Sequence, residues 1–241
     1  MILAAASRGM FQFIYHGRFN CLITKDTFET YLKDMYASMK KLFNISWSPN
    51  KFVVTMEMDP SRPRGIGGNT DFDRKTDIIF RLRLQLFGFS KKDQTFELMQ
   101  EMFEHILRHE MFHFLIPSVK DNSCWTEGVV EFMTNLYRQH GSQKANLESS
   151  LYRLIQTYNE TTDVVYKEHL YGYVNGFKKM LKLFNEDPNI LDDIRKIIQD
   201  FNKTDDTYKR PYSAADIIAY NPKFKIFFRG RCNKHVVHEF A

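Results

Sequence analysis

The stretch DIIFRLRLQLFGFSKKDQTFELMQEMFEHILRHEMFHFLI, residues 77–116, changes its hydrophobic period partway along. In its first part, Arg81 and Arg83 alternate with leucine and phenylalanine, which is typical of a strand in a sheet with one covered face. Its second part begins near the capping candidate Asp93 and stops before Pro117, as a helix would. The stretch therefore predicts a strand followed by a long helix.

The segments on either side continue this division. Before the stretch, strands are predicted at 11–16 and 51–58, a helix at 24–44, and turns in the proline- and glycine-rich residues 61–77. After it, helices are predicted at 124–141, 145–158, 163–184 and 189–201, with a late strand at 223–228. Strands first and helices afterwards indicate an α+β protein, in which a mixed or antiparallel N-terminal sheet with one helix precedes a helical lobe.

Length and composition predict one domain, residues 1–241, with a sheet-rich lobe at 1–89 and a helical lobe at 90–241. The chain has 241 residues, of which 43% are hydrophobic, and this is enough for a sizeable core. Its net charge of +5 is spread without a long basic block, so we expect no nucleic-acid partner. The sequence predicts no oligomeric state.

The compartment expected from the sequence is the cytoplasm. The first residues lack the basic start of a signal peptide, and no apolar run approaches the roughly 20 residues of a membrane span. We therefore expect no membrane association. Three cysteines, Cys21, Cys124 and Cys232, are too few and too scattered for a disulfide framework, and their odd number suggests a reducing compartment.

Residues 105–113, HILRHEMFH, contain three histidines at intervals of four. On a helix, side chains four apart share a face, so two imidazoles can converge on one Zn²⁺. Three cannot, because the rise between His105 and His113 is about 12 Å. Glu110 favours His109 and His113, since H-E-x-x-H supplies a general base for zinc-bound water. Chance would produce this motif here with a probability on the order of 1%.

A third protein ligand is predicted on the next helix. Glu127 follows His113 after a short turn, and two adjacent antiparallel helices would bring it back towards the histidines. Glu131 lies one turn further on the same face. There it could accept the second ring N–H of a ligating histidine, as outer partners of metal sites do.

The combination HEMFH…WTEGVVEF resembles the gluzincin zinc metallopeptidases, in particular their aminopeptidase-like branch. The resemblance implies a thermolysin-like zincin catalytic domain with an active-site cleft between its two lobes. It implies one Zn²⁺ per chain, held by His109, His113 and Glu127, with Glu110 as catalytic base. Glu131 matches an acidic position that lies behind the ligands in these families.

Two further expectations come from the same resemblance. Tyr173 begins a Y-x-x-G motif whose hydroxyl would stabilise the oxyanion of the tetrahedral intermediate, with Tyr171 as the alternative. The active-site edge strand, which pairs with the substrate backbone, would lie within 77–86, with residues 65–71 as a loop at the cleft. That loop lacks the glutamate that grips a free amine in aminopeptidases, and Asp71 would be a weak substitute.

The function predicted from these residues is zinc-dependent hydrolysis of peptide bonds in a peptide or protein substrate. The missing amine anchor favours endopeptidase over aminopeptidase action. Two alternatives stay open: a catalytically idle zinc-binding or interaction protein on a peptidase-like fold, and a metal-free helical protein in which the motif is a coincidence.

Overall fold

The structure is a computed structural model, and it describes most of the chain. The described residues are 10–16, 25–46, 48–49, 51–59, 65–73, 79–87, 96–138, 143–203 and 212–230. The predicted helix cap at Asp93, as well as Cys21 and Cys232, lie outside these residues.

Four strands form one mixed sheet, and their order is β1-β2-β4-β3. The strands are β1 (Phe11–His16), β2 (Lys51–Asp59), β3 (Gly65–Asp73) and β4 (Ile79–Phe87). β2 pairs in parallel with both β1 and β4, whereas β3 pairs antiparallel with β4. In β4, Leu82 is buried between the exposed Arg81 and Arg83, which confirms the predicted alternation at these three residues.

Two expectations about this sheet are wrong. Residues 65–71 are not a loop, because β3 pairs with β4 along its whole length, from Gly65 opposite Phe87 to Asp73 opposite Ile79. The strand at 77–86 is not an edge strand, since β4 lies between β2 and β3, and β3 is at the edge. The sequence of β3, GIGGNTDFD, contains three glycines. Glycine is unfavourable in a strand, but it is found where another group closely approaches the backbone.

Helix α1 (Lys25–Leu42) covers one face of the sheet with an aromatic layer. Its side chains Phe28, Leu32, Tyr36 and Met39 are buried, at the spacing of one helical face. Phe28 meets Phe13 of β1 edge-on at 5.9 Å between ring centroids, and Tyr36 meets Phe52 of β2 at 5.5 Å. The position of the sheet is therefore fixed by interlocked rings rather than by aliphatic contacts alone.

The remaining elements are helical. They are α2 (Phe96–Leu115), α3 (Ser123–Leu136), α4 (Gln143–Glu160), α5 (Val164–Glu186), α6 (Ile190–Phe201), α7 (Ala214–Tyr220) and a 3-10 helix (Pro222–Phe228). The strand predicted at 223–228 is thus wrong, and α7 was not predicted. α3 ends at Leu136, earlier than predicted. None of the helices in the described part is long and apolar enough to cross a membrane.

The described residues fall into two compact units. One contains those of Met1–Phe114 and Asn202–Lys209, and the other those of Leu115–Phe201 and Arg210–Ala241. The core of the first unit is the layer of rings between α1 and the sheet, which Phe114 joins through Tyr36 and Phe52.

In the second unit, α3 and α5 run parallel and touch through their backbones. A Cβ atom on Gly176 would lie 2.0 Å from the carbonyl oxygen of Cys124, and one on Gly128 would lie 2.2 Å from Gly176 Cα. Neither helix can recede locally without breaking its own hydrogen bonds, so only glycine fits at these two positions. Further along the same contact, Phe132 packs edge-on against Phe177.

Candidate metal centre

The last two turns of α2 carry both predicted histidine ligands and the predicted base. Phe112 packs edge-on against Phe43 at 5.9 Å, and Phe114 packs against Phe52 at the same centroid distance. These contacts fix the rotation of the helix about its axis. As a result, His109 and Glu110 are held inside the protein, with only 6% and 5% of their surfaces exposed.

The two histidine rings converge through the same nitrogen. His109 Nε2 and His113 Nε2 are 3.0 Å apart, and the rings lie nearly edge to face, with centroids 4.7 Å apart. A tetrahedral Zn²⁺ with Zn–N distances of about 2.0–2.1 Å separates two nitrogen ligands by about 3.3 Å. The pair is therefore close to the separation that a shared zinc ion needs, and Nδ1 of each ring would be the nitrogen left for an outer partner.

Glu127 completes a three-residue cluster. Ligand atoms of His109, His113 and Glu127 all lie within 4.8 Å of one another. Among the described residues this is the one group of three or more histidine, cysteine or acidic side chains with such spacing, and His105 is not part of it.

The start of α3 is fixed by two hydrogen-bonded side chains, and this fixes Glu127. Asn122 is the N-cap, and its Oδ1 accepts a bond of 2.8 Å from the backbone N–H of Trp125. Ser123 is the first residue of the helix. The Trp125 indole donates from Nε1 to Pro117 O at 2.9 Å and is fully buried. Trp125, two residues before the predicted ligand Glu127, therefore anchors the turn between α2 and α3.

The donor set fits zinc. Two imidazole nitrogens and one carboxylate oxygen are the ligands of catalytic zinc sites, which keep a fourth position for water or substrate. A site for Ca²⁺ or Mg²⁺ would instead be built mainly of oxygen ligands.

The carboxylate of Glu110 lies against β3. A Cβ atom on Gly68 would be 2.6 Å from Glu110 Oε1 and 2.8 Å from its Cγ. Only a residue without a side chain lets the strand pass so close to this carboxylate. Sequence reasoning missed Gly68, although a glycine within a strand is a known sign of close backbone approach.

Glu131 lies one turn after Glu127 on α3 and is buried. Its Oε1 accepts a hydrogen bond of 2.8 Å from Nδ2 of Asn135. The role assigned to Glu131 behind the histidines stays a prediction. Asn135 is a second residue that sequence reasoning missed, although a Glu and an Asn four residues apart on one helix can interact.

Tyr173 lies on α5, half-buried, with its ring edge-on to His169 at 5.0 Å. The glycine that closes its motif, Gly176, is the one that touches Gly128, the neighbour of Glu127. The two glycine-containing motifs therefore meet where α3 and α5 are closest. Tyr171 instead has a ring contact with Tyr158 at 6.5 Å. The oxyanion role of Tyr173 stays a prediction, and the side chain of Asp71 lies outside the described residues.

Cys124, at the start of α3, is buried and takes part in a disulfide bond. Its partner lies outside the described residues. One disulfide bond is not the disulfide framework that the number and spacing of the cysteines exclude. The reducing compartment suggested by their odd number stays a prediction.

No protein-family model, curated protein or solved structure matches this chain significantly. The interpretation of the site therefore relies on its own geometry. The metal-capable cluster and the buried Glu110 beside it are the observations that a function must explain.

Proposed function

We propose that the protein is a zinc-dependent metallopeptidase with a thermolysin-like zincin fold. The observation that carries the proposal is the convergence of His109, His113 and Glu127, whose ligand atoms lie within 4.8 Å of one another. Glu110, which follows the first of these ligands on α2, supports it further. A buried carboxylate beside two imidazoles is costly unless it has partners or a chemical task.

The chain's own residues divide the work of peptide hydrolysis. His109, His113 and Glu127 would hold one zinc ion, which when bound polarises a carbonyl and makes a water molecule more acidic. The Glu110 carboxylate would accept a proton from the attacking water and deliver it to the leaving amine. Tyr173 donates its hydroxyl hydrogen towards the negative charge that develops on the carbonyl oxygen.

The edge strand β3 supports an extended peptide as the substrate. Among the described strands it pairs with β4 alone, so its outer edge carries backbone groups that a peptide can bind as an added strand. Gly68 places this strand against Glu110, so a peptide bound along β3 would run past the catalytic base. Because residues 65–71 contain no glutamate to hold a free amine, we propose endopeptidase rather than aminopeptidase action.

The test uses purified full-length protein. We expect about one zinc ion per chain and cleavage of a mixed peptide library, including peptides with blocked N-termini, as read by mass spectrometry. Glu110→Gln should retain zinc and lose roughly 100- to 10,000-fold in kcat, because proton transfer is lost while the ligands remain. His105→Gln on the same helix is the matched control and should retain both zinc and turnover.

Each component of the proposal has its own contrary result. A chain that binds zinc but cleaves nothing would support the idle zinc-binding alternative, and a chain without metal would support the coincidental motif. Unchanged cleavage by Glu110→Gln would refute the assigned base. The cytoplasm stays a prediction from the sequence, and thiol labelling of the native protein in its own cell tests it.

A further inference from the structure

Asn135 holds Glu131 in place through both hydrogens of its side-chain amide. Its Nδ2 donates to Glu131 Oε1 at 2.8 Å and also to the backbone carbonyl oxygen of Glu131, again at 2.8 Å. Both residues are buried, with 3% and 5% of their surfaces exposed. Two short bonds from one nitrogen fix the side chain of Asn135 relative to the helix, and with it the orientation of the Glu131 carboxylate.

The orientation of this amide is set by its partners. If the amide were flipped, Oδ1 would face a carboxylate oxygen and a carbonyl oxygen, so two pairs of acceptors would oppose each other. Asn135 can therefore act here only as a double donor. A leucine or alanine at this position could not replace it, and an aspartate would set a second negative charge against Glu131.

Glu127, Glu131 and Asn135 follow one another at intervals of four residues on α3. They therefore lie along one face of the helix, from the predicted ligand to the amide. Each histidine of the cluster turns Nε2 inwards, so Nδ1 is the nitrogen for which an outer acceptor is needed. Glu131, one turn behind Glu127, is the next acidic residue along this face.

We propose that Asn135 is a positioning residue of the metal centre: it fixes the carboxylate of Glu131, which in turn orients a ligating histidine. The inference rests on the proposed zinc site. In this arrangement Asn135 is a neutral residue that acts on the site only through Glu131, without contacting the metal or the substrate.

The experiment measures zinc affinity by competition with a chromophoric chelator, in the full-length protein. Glu131→Ala should weaken zinc binding by roughly 10- to 100-fold, the usual effect of losing an outer partner. Asn135→Leu, which removes the donors but retains the volume, should weaken it by about 10-fold, and Asn135→Ala should do the same. The double variant Glu131→Ala/Asn135→Leu should bind no more weakly than Glu131→Ala alone, because Asn135 acts through Glu131.

Thr134→Ala is the matched control. Thr134 is a buried neighbour on the same helix, and its hydroxyl donates to Val130 O at 2.9 Å, so the variant loses a similar local bond. It should leave zinc affinity unchanged. Wild-type affinity in both Asn135 variants, or losses that multiply in the double variant, would overturn the inference while leaving the zinc site intact. Absence of zinc from the wild-type chain would overturn the proposed function as well.

Discussion

Replacing Gly68 with alanine tests whether β3 and Glu110, the proposed catalytic base, are as close as the structure has them. The added Cβ would lie 2.6 Å from Glu110 Oε1, whereas ordinary contact begins near 3.4 Å. The carboxylate must therefore move by about 0.8 Å, in a site where Glu110 is buried and cannot swing into solvent. A misplacement of about 1 Å can cost roughly 100-fold in rate.

We expect Gly68→Ala to lower kcat/KM by roughly 10- to 100-fold while zinc content stays at the wild-type value. The ligands themselves are not touched by the new methyl group, so metal binding separates this effect from general damage. The assay is cleavage of the best library peptide, with metal analysis on the same sample.

A double-mutant cycle of unfolding free energies tests the contact between Gly68 and Glu110 without relying on catalysis. Gly68→Ala alone should lower the free energy of unfolding by about 1–3 kcal/mol, because it overpacks a buried side chain. In a Glu110→Ala background the colliding atoms are gone, so the same change should cost close to nothing. An equal cost in both backgrounds, or wild-type activity in Gly68→Ala, would refute the placement of Gly68 against Glu110.

Two further predictions concern the scaffold. Gly176→Ala should lower the free energy of unfolding by about 3 kcal/mol or more, because its Cβ would lie 2.0 Å from the carbonyl oxygen of Cys124. Gly172→Ala should cost less, because the closest atoms to its Cβ, Cβ and Oγ of Ser123, are 2.6 Å away and the overlap is smaller. Urea denaturation compares the two, and equal midpoints would contradict the close helix contact. Trp125→Phe should cost about 1–3 kcal/mol by leaving the buried Pro117 carbonyl without its donor. It should also weaken zinc binding, and unchanged chelator competition would show that the tryptophan does not position Glu127.

The sequence predicted those parts of the protein where local pattern and tertiary environment agree. The alternation around Leu82 and the four-residue spacing of His109 and His113 are both local, because each depends only on the period of one element. The prediction that Glu127 is the third ligand required one more assumption, namely that consecutive helices lie side by side. The pattern of each element was therefore enough to name the residues of the cluster, although not to fix the distances between them.

Two elements could not be predicted because tertiary contacts outweigh local preference. Residues 65–73 contain turn-forming glycine, asparagine and aspartate, and they become a strand only because β4 offers a complete line of pairing partners. Residues 223–228 are apolar enough for a strand, but Phe224 and Phe227 are the buried pair, three residues apart, packed against Trp125. That interval is the period of a 3-10 helix.

The order of the ligands along the chain has a consequence for how the site assembles. All three belong to residues 109–127, so capturing an ion closes only a short loop, and the entropic cost of loop closure grows with loop length. Contacts between residues so close in sequence form early and fast in folding. In the proposed zinc site, all ligands would therefore come from one local segment, and binding the ion would not need the sheet to be complete. Residues 109–135 are the shortest segment of the chain that contains all three proposed ligands together with Glu110 and Asn135.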